Sequence, residues 1–266
     1  MKLLILAVDG LDPDLVSELG YPKMSHEKKL YVPPELYWNG QPSTLTVWAS
    51  MLAGRVVYDR KKVDSVKRRN TGRKINKGSR RLLTLLGAKK ILGGRYKDAS
   101  KLVFGDRASY MRWSTKCINY GIETVADRYL SIMWNVPTIC PEFLYRVPAA
   151  HHLGFRKREY QIWKLVSESM SLYPYDLGVA YFHLIDDLAH YKREEEVKFI
   201  YEDVHLHARK LSERCDVIVV SDHGTSAKTA KHTTHSYMGS TKPINATTVL
   251  EVRNDIEAIL DTRLQT

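Results

Sequence analysis

Six acidic or imidazole side chains lie in short motifs along the sequence and could bind metal ions. Carboxylate oxygen and imidazole nitrogen together suit zinc or a similar first-row ion, whereas magnesium sites more often contain oxygen alone. Six ligands suffice for two ions, and two ions about 4 Å apart can hold the attacking and leaving oxygens of a displacement at phosphorus. The pattern therefore predicts a two-metal phosphate-ester hydrolase. The six residues are Asp9, Asp186, His190, Asp222, His223 and His235.

Thr44 precedes a helical pattern at Val47–Gly54, where backbone N–H groups at the start of a helix can face an anion. The simplest role for Thr at such a position is to cap the helix. A Thr that caps a helix can also take part in catalysis, because the two roles are compatible in geometry.

Apolar runs at Leu3–Val8, Leu177–Phe182 and Val217–Val220 predict buried parallel strands. A further strand is predicted at Leu130–Val136 and a Pro-containing link at Tyr21–Pro34. Helical patterns alternate with these strands, which predicts an α/β fold with a mostly parallel sheet and helices on both faces. The helical patterns cover Pro13–Leu19, Lys157–Leu172 and Glu194–Arg214.

The elements also explain how distant residues could meet. In such sheets, ligands bind beyond the carboxyl ends of the strands. Asp9, Asp186 and Asp222 each follow a predicted strand at that end.

Length and composition favour a single α/β domain over residues 1–266, with residues 55–129 as an insertion or reduced cap. The three cysteines are scattered and lack C-x-x-C spacing, so the sequence indicates neither a disulfide framework nor a cysteine zinc site. No apolar run approaches the length of a membrane span, and the N-terminus reads as a buried strand. We therefore expect a cytoplasmic protein.

The net charge of +11 is concentrated in one segment. Residues 60–81 contain eleven Lys or Arg residues and one acid, Asp64, which gives the segment a net charge of +10. Such a run is most often a solvated loop. Beside a phosphate-processing site it would also attract polyanions, including nucleic acid, although it lacks aromatic residues that could stack on bases.

The chain resembles the alkaline phosphatase superfamily, in particular its type I phosphodiesterase/nucleotide pyrophosphatase branch. The resemblance covers most of the chain outside the basic segment. The motifs that carry it are AVDGLDPDLV, STLTVWASMLAG, DDLAH, VVSDHG and HSYMGS.

The resemblance implies one metal site formed by Asp9, Thr44, Asp222 and His223. It implies a second site formed by Asp186, His190 and His235, with zinc in both and manganese as another possible metal. It further implies that Thr44 is the nucleophile and forms a phospho-enzyme, and that the substrate is a nucleotide or related phosphate ester. Asn135 and Thr138, in the tract WNVPTICPE, would lie near the substrate.

The chain departs from the family pattern at two places. Many nucleotide pyrophosphatases read T-F-P-N from the nucleophile, where this chain reads T-L-T-V. The region that usually supplies a phosphate-binding Asn and a large cap is here short and basic. The substrate therefore does not follow from the family.

Several alternatives to these assignments stay open at this point. Asp9 and Asp222 could be ordinary turn carboxylates, and Asp186 and His190 could be an ion pair on a helix surface. Neighbouring side chains could also replace the assigned ones, with Ser43 or Thr46 for Thr44, Asp187 for Asp186 and His232 for His235, while His183 could be a core histidine. Alternative functions are a phosphomonoesterase, a sulfatase, a phosphomutase, or a nucleic-acid-binding protein with a non-catalytic metal site.

Overall fold

The computed structural model describes residues 1–20, 24–38, 40–57, 124–134, 160, 162–164, 166–168, 170 and 175–264. These residues fall in one unit, Met1–Val57 with Ser114–Thr266, and the second unit, Tyr58–Trp113, lies outside them. Most of the predicted insertion 55–129 is therefore outside the described residues, as are the whole basic segment 60–81 and the predicted substrate contacts Asn135 and Thr138.

Six of the ten described strands form one sheet. In chain order the strands are β1 (Leu3–Val8), β2 (His26–Tyr31), β3 (Tyr37–Trp38), β4 (Gln41–Pro42), β5 (Ser131–Trp134), β6 (Leu177–Phe182), β7 (Asp216–Val220), β8 (Thr225–Ser226), β9 (Lys231–His232) and β10 (His235–Ser240). The sheet order is β2-β10-β7-β1-β6-β5, while β3 pairs with β4 and β8 with β9. Strands β7, β1, β6 and β5 are parallel, and β10 is antiparallel to both of its neighbours.

Five helices with bounds inside the described residues lie around this sheet, and the described residues between 160 and 170, in the predicted helix Lys157–Leu172, are helical as well. The five helices are α1 (Pro13–Leu19), α2 (Thr44–Ala53), α3 (Leu184–His190), α4 (Glu194–Ser212) and α5 (Val252–Leu264). Short 3-10 turns occupy Pro34–Leu36, Val125–Asp127 and Val249–Glu251. The predicted α/β fold with a mostly parallel sheet is confirmed.

Helices α1 and α2 begin and end for reasons that the sequence contains. The Asp12 carboxylate accepts hydrogen bonds from the N–H groups of Asp14 and Leu15, at 2.9 and 3.4 Å, and Pro13 occupies the first turn of α1. Gly20 ends α1 and Gly54 ends α2, both in the left-handed conformation that glycine adopts at low cost. Helix α2 starts at Thr44, directly after its N-cap residue Ser43, so Thr44 lies at the N-terminus of the helix.

The prediction of a link at Tyr21–Pro34 was wrong for its second half. Residues His26–Tyr31 form β2, an edge strand that pairs with β10 along its whole length. Its sequence, HEKKLY, is mostly exposed and charged, so it lacks the apolar alternation by which a strand is usually recognised. Lysines on an edge strand also oppose pairing with another chain.

The core is continuous from the centre of the sheet to two helices. Leu3, Ile5 and Ala7 of β1 lie in a buried cluster with Trp48 and Met51 of α2 and with apolar residues of α5. The alternate residues of β1 are buried as well, so both faces of this strand are covered. Full burial of one such aliphatic side chain contributes about 1.5–3 kcal/mol, which makes β1 a rigid support for the residue that follows it.

No helix among the described residues has the length and apolar character needed to cross a membrane.

Candidate metal centre

The central parallel strands end at one edge of the sheet, and the acidic residues follow them there. Val8, the last residue of β1, lies opposite Phe182, the last residue of β6, and the neighbouring β7 ends at Val220. The carboxyl ends of parallel strands point to the same edge, where ligands bind in α/β folds. The structure thus brings together Asp9, directly after β1, Asp186, in the first turn of α3 after β6, and Asp222, two residues after β7.

Asp9, Asp186 and His223 form the first candidate metal group, which we call triad A. One ligand atom from each residue lies within 4.8 Å of the others, and all three side chains are buried. Asp222 adjoins this triad, because its Oδ2 atom lies 3.2 Å from Nε2 of His223. Residues from three separate strand ends therefore converge on a small volume.

The hydroxyl of Thr44 faces triad A. Its Oγ1 atom lies 3.4 and 3.2 Å from the two carboxylate oxygens of Asp9 and 3.3 Å from Nε2 of His223. Because Thr44 is the first residue of α2, the N-terminus of that helix is at the same point. The N-terminus of a helix favours negative charge, so an anion here would meet the hydroxyl.

Asp186, His190 and His232 form the second candidate group, triad B. The Nε2 atom of His190 is 3.4 Å from Oδ2 of Asp186, and Nε2 of His232 is 3.6 Å from Oδ1 of Asp186. Asp186 belongs to both triads, and the His223 and His232 rings stack with centroids 3.9 Å apart. The two groups are therefore adjacent parts of one site.

His235, which the resemblance assigns to this second metal, lies elsewhere. It starts β10, opposite Tyr31 of β2, and its ring makes an edge contact with the Tyr31 ring at 6.0 Å. Its Nδ1 atom is 3.2 Å from the Thr234 hydroxyl. The structure places the alternative, His232, beside Asp186 and His190, because the β8–β9 hairpin folds back over the end of α3.

The structure also shows the positions of the other residues considered as alternatives, Thr46, Ser43 and Asp187. Thr46 is buried, and its hydroxyl donates to the carbonyl oxygens of Leu36 and Ser43, so it is held away from the triads. Ser43 is the N-cap residue of α2, with extended backbone angles. Asp187 is half-buried, with Oδ1 at 3.5 Å from Nε2 of His183, whereas Asp186 takes part in both triads.

The electrostatics of the carboxylates fit a cation. Oδ2 of Asp222 is buried and has no hydrogen-bond partner in the described part of the chain. Burial, together with the charges of Asp9 and Asp186, raises the pKa of Asp222 well above its usual range. A buried carboxylate oxygen without a hydrogen-bond donor is costly, and a divalent cation between these carboxylates would remove that cost. The residues present therefore fit a metal centre.

The pKa values of two histidines at the site, His223 and His190, are shifted in opposite directions. Burial, with the nearby His232 and only partly opposed by Asp9, lowers the pKa of His223 to about 4. His223 is then neutral at pH 7, which is the form of imidazole that binds metal. The hydrogen bond to Asp186 raises the pKa of His190, whose Nδ1 atom lies 3.1 Å from the Ala230 carbonyl oxygen. If Nδ1 donates to that carbonyl, Nε2 is left for a metal.

Three residues at the site were missed or undervalued by the sequence reasoning. Nδ1 of His183, considered there as a core histidine, lies 2.9 Å from Oδ2 of Asp9. The Tyr181 hydroxyl donates to the same oxygen, and the Thr225 hydroxyl donates to Oδ1 of Asp186 at 2.6 Å. Their one signal in the sequence is position, since Tyr181 and His183 flank the last residue of β6 and Thr225 follows the SDHG motif.

Comparisons with known proteins agree with these motifs. A family model described as type I phosphodiesterase/nucleotide pyrophosphatase matches residues 3–250. A search of curated proteins found no match to the chain.

Solved structures with a similar chain path include a protein from Pyrococcus horikoshii, with a TM-score of 0.48 and 9% identity. Another is the alkaline phosphatase from the Antarctic bacterium TAB5, with a TM-score of 0.49 and 10% identity. Each alignment covers 98% of this chain and 97% of the other.

Proposed function

Because the chain belongs to the type I phosphodiesterase/nucleotide pyrophosphatase family and is a phosphoric ester hydrolase, we propose that it cleaves phosphodiester or pyrophosphate bonds with Thr44 as the nucleophile. The family is metal-dependent. The proposal adds two divalent ions, zinc or manganese, and a nucleotide or related phosphate ester as substrate.

One observation carries this proposal. The Thr44 hydroxyl lies between Asp9 and His223, at 3.2 and 3.3 Å, at the edge of a buried group of carboxylates and imidazoles. A hydroxyl at the N-terminus of a helix, surrounded by potential metal ligands, supports a role in nucleophilic attack. The N-cap position of this helix belongs to Ser43 and not to Thr44. The hydroxyl of Thr46, two residues after Thr44, instead donates hydrogen bonds to the carbonyl oxygens of Leu36 and Ser43.

We assign the ligands from the two triads. Asp9, Thr44, Asp222 and His223 would hold one ion, and Asp186, His190 and His232 would hold the other, with His232 in the place first given to His235. Bound divalent ions would supply positive charge that makes the hydroxyl more acidic and stabilises the phosphoryl group during displacement.

The protein residues then carry out the displacement. Oγ1 of Thr44 releases its proton to solvent and attacks phosphorus. An Oγ1–P bond forms while the bond from phosphorus to the leaving oxygen breaks, and the leaving oxygen takes the bonding electron pair and a proton from solvent. The N-terminus of α2 favours the negative charge that develops on the phosphoryl oxygens. A water oxygen then attacks phosphorus and releases a proton to solvent, while the Oγ1–P bond breaks and Oγ1 takes its electron pair and a proton, which regenerates Thr44.

The test compares three variants of neighbouring residues with the wild-type enzyme. Thr44→Ala should lower kcat by about 10³-fold or more, a magnitude typical for the loss of a nucleophile. Thr44→Ser keeps a hydroxyl and should retain part of the activity, and Ser43→Ala, the matched control, should stay within about 3-fold of wild type. Full turnover by Thr44→Ala would overturn the assignment.

The same protein should be assayed on three substrates to fix the reaction class. We expect the metal-loaded enzyme to prefer bis-p-nitrophenyl phosphate over p-nitrophenyl phosphate and p-nitrophenyl sulfate. A preference for the monoester would favour a phosphomonoesterase, and one for the sulfate a sulfatase. Inactivity on all three, together with activity on a phosphorylated sugar acid or sugar, would favour a phosphomutase.

A second candidate function is nucleic-acid binding, which the net charge of +10 in residues 60–81 favours. A salt-dependent gel shift that disappears when the segment is deleted, with no metal-stimulated hydrolysis, would support this function over the first. A gel shift with hydrolysis intact would indicate that the segment delivers a polyanionic substrate to the site.

A further inference from the structure

His183 and Asp9 are held next to each other by the strand register. The last residues of β1 and β6, Val8 and Phe182, are partners, and the N–H of Asp9 donates to the Phe182 carbonyl oxygen at 2.9 Å. The residues that come next, Asp9 and His183, therefore leave the sheet side by side. Their contact follows from the pairing of two buried strands rather than from a mobile loop.

The two oxygens of Asp9 have different surroundings. Oδ2 accepts a hydrogen bond from the Tyr181 hydroxyl and lies 2.9 Å from Nδ1 of His183. Oδ1 lies 3.7 Å from Nε2 of His223. The Thr44 hydroxyl lies near both oxygens, at 3.4 Å from Oδ1 and 3.2 Å from Oδ2. One oxygen is thus fixed by two side chains of β6 and its end, while the other is directed to triad A.

His183 is itself held on several sides. Its ring stacks on Tyr181 with centroids 5.9 Å apart, and its Nδ1 atom lies 2.9 Å from the Tyr181 hydroxyl. Its Nε2 atom lies 3.5 Å from Oδ1 of Asp187, one helical turn further along the chain. The side chains therefore form a row from Asp187 through His183 to Asp9, with Tyr181 beside it.

We propose that His183, together with Tyr181, is a positioning residue that holds the Asp9 carboxylate through Oδ2 so that Oδ1 faces His223 and the metal. The inference rests on the proposed function, because it requires Asp9 to be a metal ligand. Residues that hydrogen-bond to a metal ligand orient it, and their loss typically lowers metal affinity about 10- to 100-fold.

This role explains a feature that packing alone does not. The side chain of His183 is partly accessible, at 26% relative exposure, while that of Asp9 is fully buried. A histidine that served only to fill the core would be enclosed by apolar groups. His183 instead lies between two carboxylates, which orient its ring nitrogens in opposite directions.

The test measures the affinity for Zn²⁺ and Mn²⁺ by chelator competition, on protein first stripped of metal. His183→Leu removes both ring nitrogens and should weaken binding about 10- to 100-fold. His183→Asn keeps a donor near the position of Nδ1 and should recover most of the lost affinity. Tyr181→Phe removes only the hydroxyl and should give a smaller loss.

His26→Asn is the matched control. His26 is an exposed histidine at the start of β2, at the opposite edge of the sheet, so its replacement should leave metal affinity unchanged. Circular dichroism of the metal-free proteins verifies folding. If His183→Leu does not fold, the comparison of Tyr181→Phe and His183→Asn with wild type decides the question.

Asp9→Asn separates failure of this inference from failure of the proposed function. If Asp9→Asn loses metal while folded His183→Leu and Tyr181→Phe bind it as tightly as wild type, the positioning role is wrong and the metal centre stands. If wild type binds no metal, or Asp9→Asn binds it as well as wild type, the proposed metal centre is wrong, and the inference is wrong with it.

Discussion

The Nε2 atoms of His190 and His232 lie 3.0 Å apart, and each also lies within 3.6 Å of an Asp186 carboxylate oxygen. Two imidazole nitrogens and a carboxylate that point toward one another form a ligand set suited to a first-row metal ion. The arrangement brings together the end of α3 and the β8–β9 hairpin, which are about 40 residues apart in the chain.

His232→Ala should therefore remove one metal ion, whereas His235→Ala should not. Elemental analysis of the purified variants after dialysis would show about one ion fewer per chain for His232→Ala and the wild-type content for His235→Ala. The reverse result would make His235 the ligand and would contradict the assignment of His232.

Asp222→Asn should have opposite effects on the metal-free and metal-loaded proteins. Without metal, Asp222 must either stay charged beside Asp9 and Asp186 or take up a proton on folding, because its pKa is raised well above the usual range. The uncharged Asn avoids both costs and should raise the free energy of unfolding by about 1–3 kcal/mol. With metal, the same change removes a ligand and should lower the melting temperature. Thermal unfolding with and without chelator measures both effects.

Asp14→Asn is the control for this comparison. Asp14 is an exposed carboxylate that pairs with Lys29 at 2.6 Å, and such pairs contribute at most about 1 kcal/mol. Its replacement should have the same small effect in both forms. A similar small effect of Asp222→Asn in both forms would contradict a cation site at Asp222.

Gly10→Ala should damage the site more than a comparable change elsewhere. Gly10 has φ = +77°, and an added Cβ would lie 2.9 Å from Cα and Cβ of Asp186 and 3.0 Å from the Thr225 hydroxyl. Gly20 also has positive φ, at +60°, but has open space around it. Gly20→Ala should therefore cost only the backbone strain of about 1–2 kcal/mol.

We expect Gly10→Ala to cost more than Gly20→Ala in urea unfolding and, in addition, to weaken Zn²⁺ binding, because it displaces the residue shared by both triads. Equal stability losses with unchanged Zn²⁺ affinity in both variants would show that Asp186 can move without consequence.

Glu251 should give a pH-dependent contribution to stability. Its carboxylate accepts hydrogen bonds from the N–H of Thr247 at 2.7 Å, from the Thr247 hydroxyl at 2.8 Å and from the N–H of Thr248 at 3.1 Å, and these lower its pKa below the usual 4.5. A lowered pKa in the folded state stabilises the protein above the unfolded pKa, and this stabilisation is lost as pH falls through the folded value.

Glu251→Gln should thus cost up to about 1 kcal/mol at pH 7. The cost should shrink as pH falls below 4.5 and through the lowered pKa of the folded state, because the carboxyl then becomes neutral. Urea unfolding at pH 7 and at successively lower pH values measures the difference. Glu202→Gln, at an exposed position of α4, should show no such dependence. A constant cost of Glu251→Gln across this range would contradict the role of the charged form.

The strands that support the site were predictable because their burial is complete. Leu3–Val8 and Leu177–Phe182 were predicted residue for residue, since continuous apolar runs are typical of central parallel strands. The edge strand β2 was not predicted. Its charged residues are exposed to solvent and give no apolar pattern, and its pairing with β10 depends on contacts made by the rest of the fold.

The candidate site was predictable at the level of motifs but not of geometry. Asp9, Asp186 and Asp222 could be placed at strand ends, and the structure brings them to one edge. The choice between His232 and His235 depends on where the β8–β9 hairpin folds back, and the role of His183 depends on the strand order β7-β1-β6. Both depend on contacts between segments far apart in the chain, which local patterns do not contain.

The most direct test of the metal centre is a crystal structure of the protein soaked in Zn²⁺, with anomalous diffraction measured at the zinc edge. We predict two anomalous peaks on either side of Asp186, one bound by His190 and His232 and the other by Asp9, Asp222 and His223 within reach of the Thr44 hydroxyl. Anomalous peaks only at other positions, with Asp186 and Thr44 far from any metal, would contradict the account.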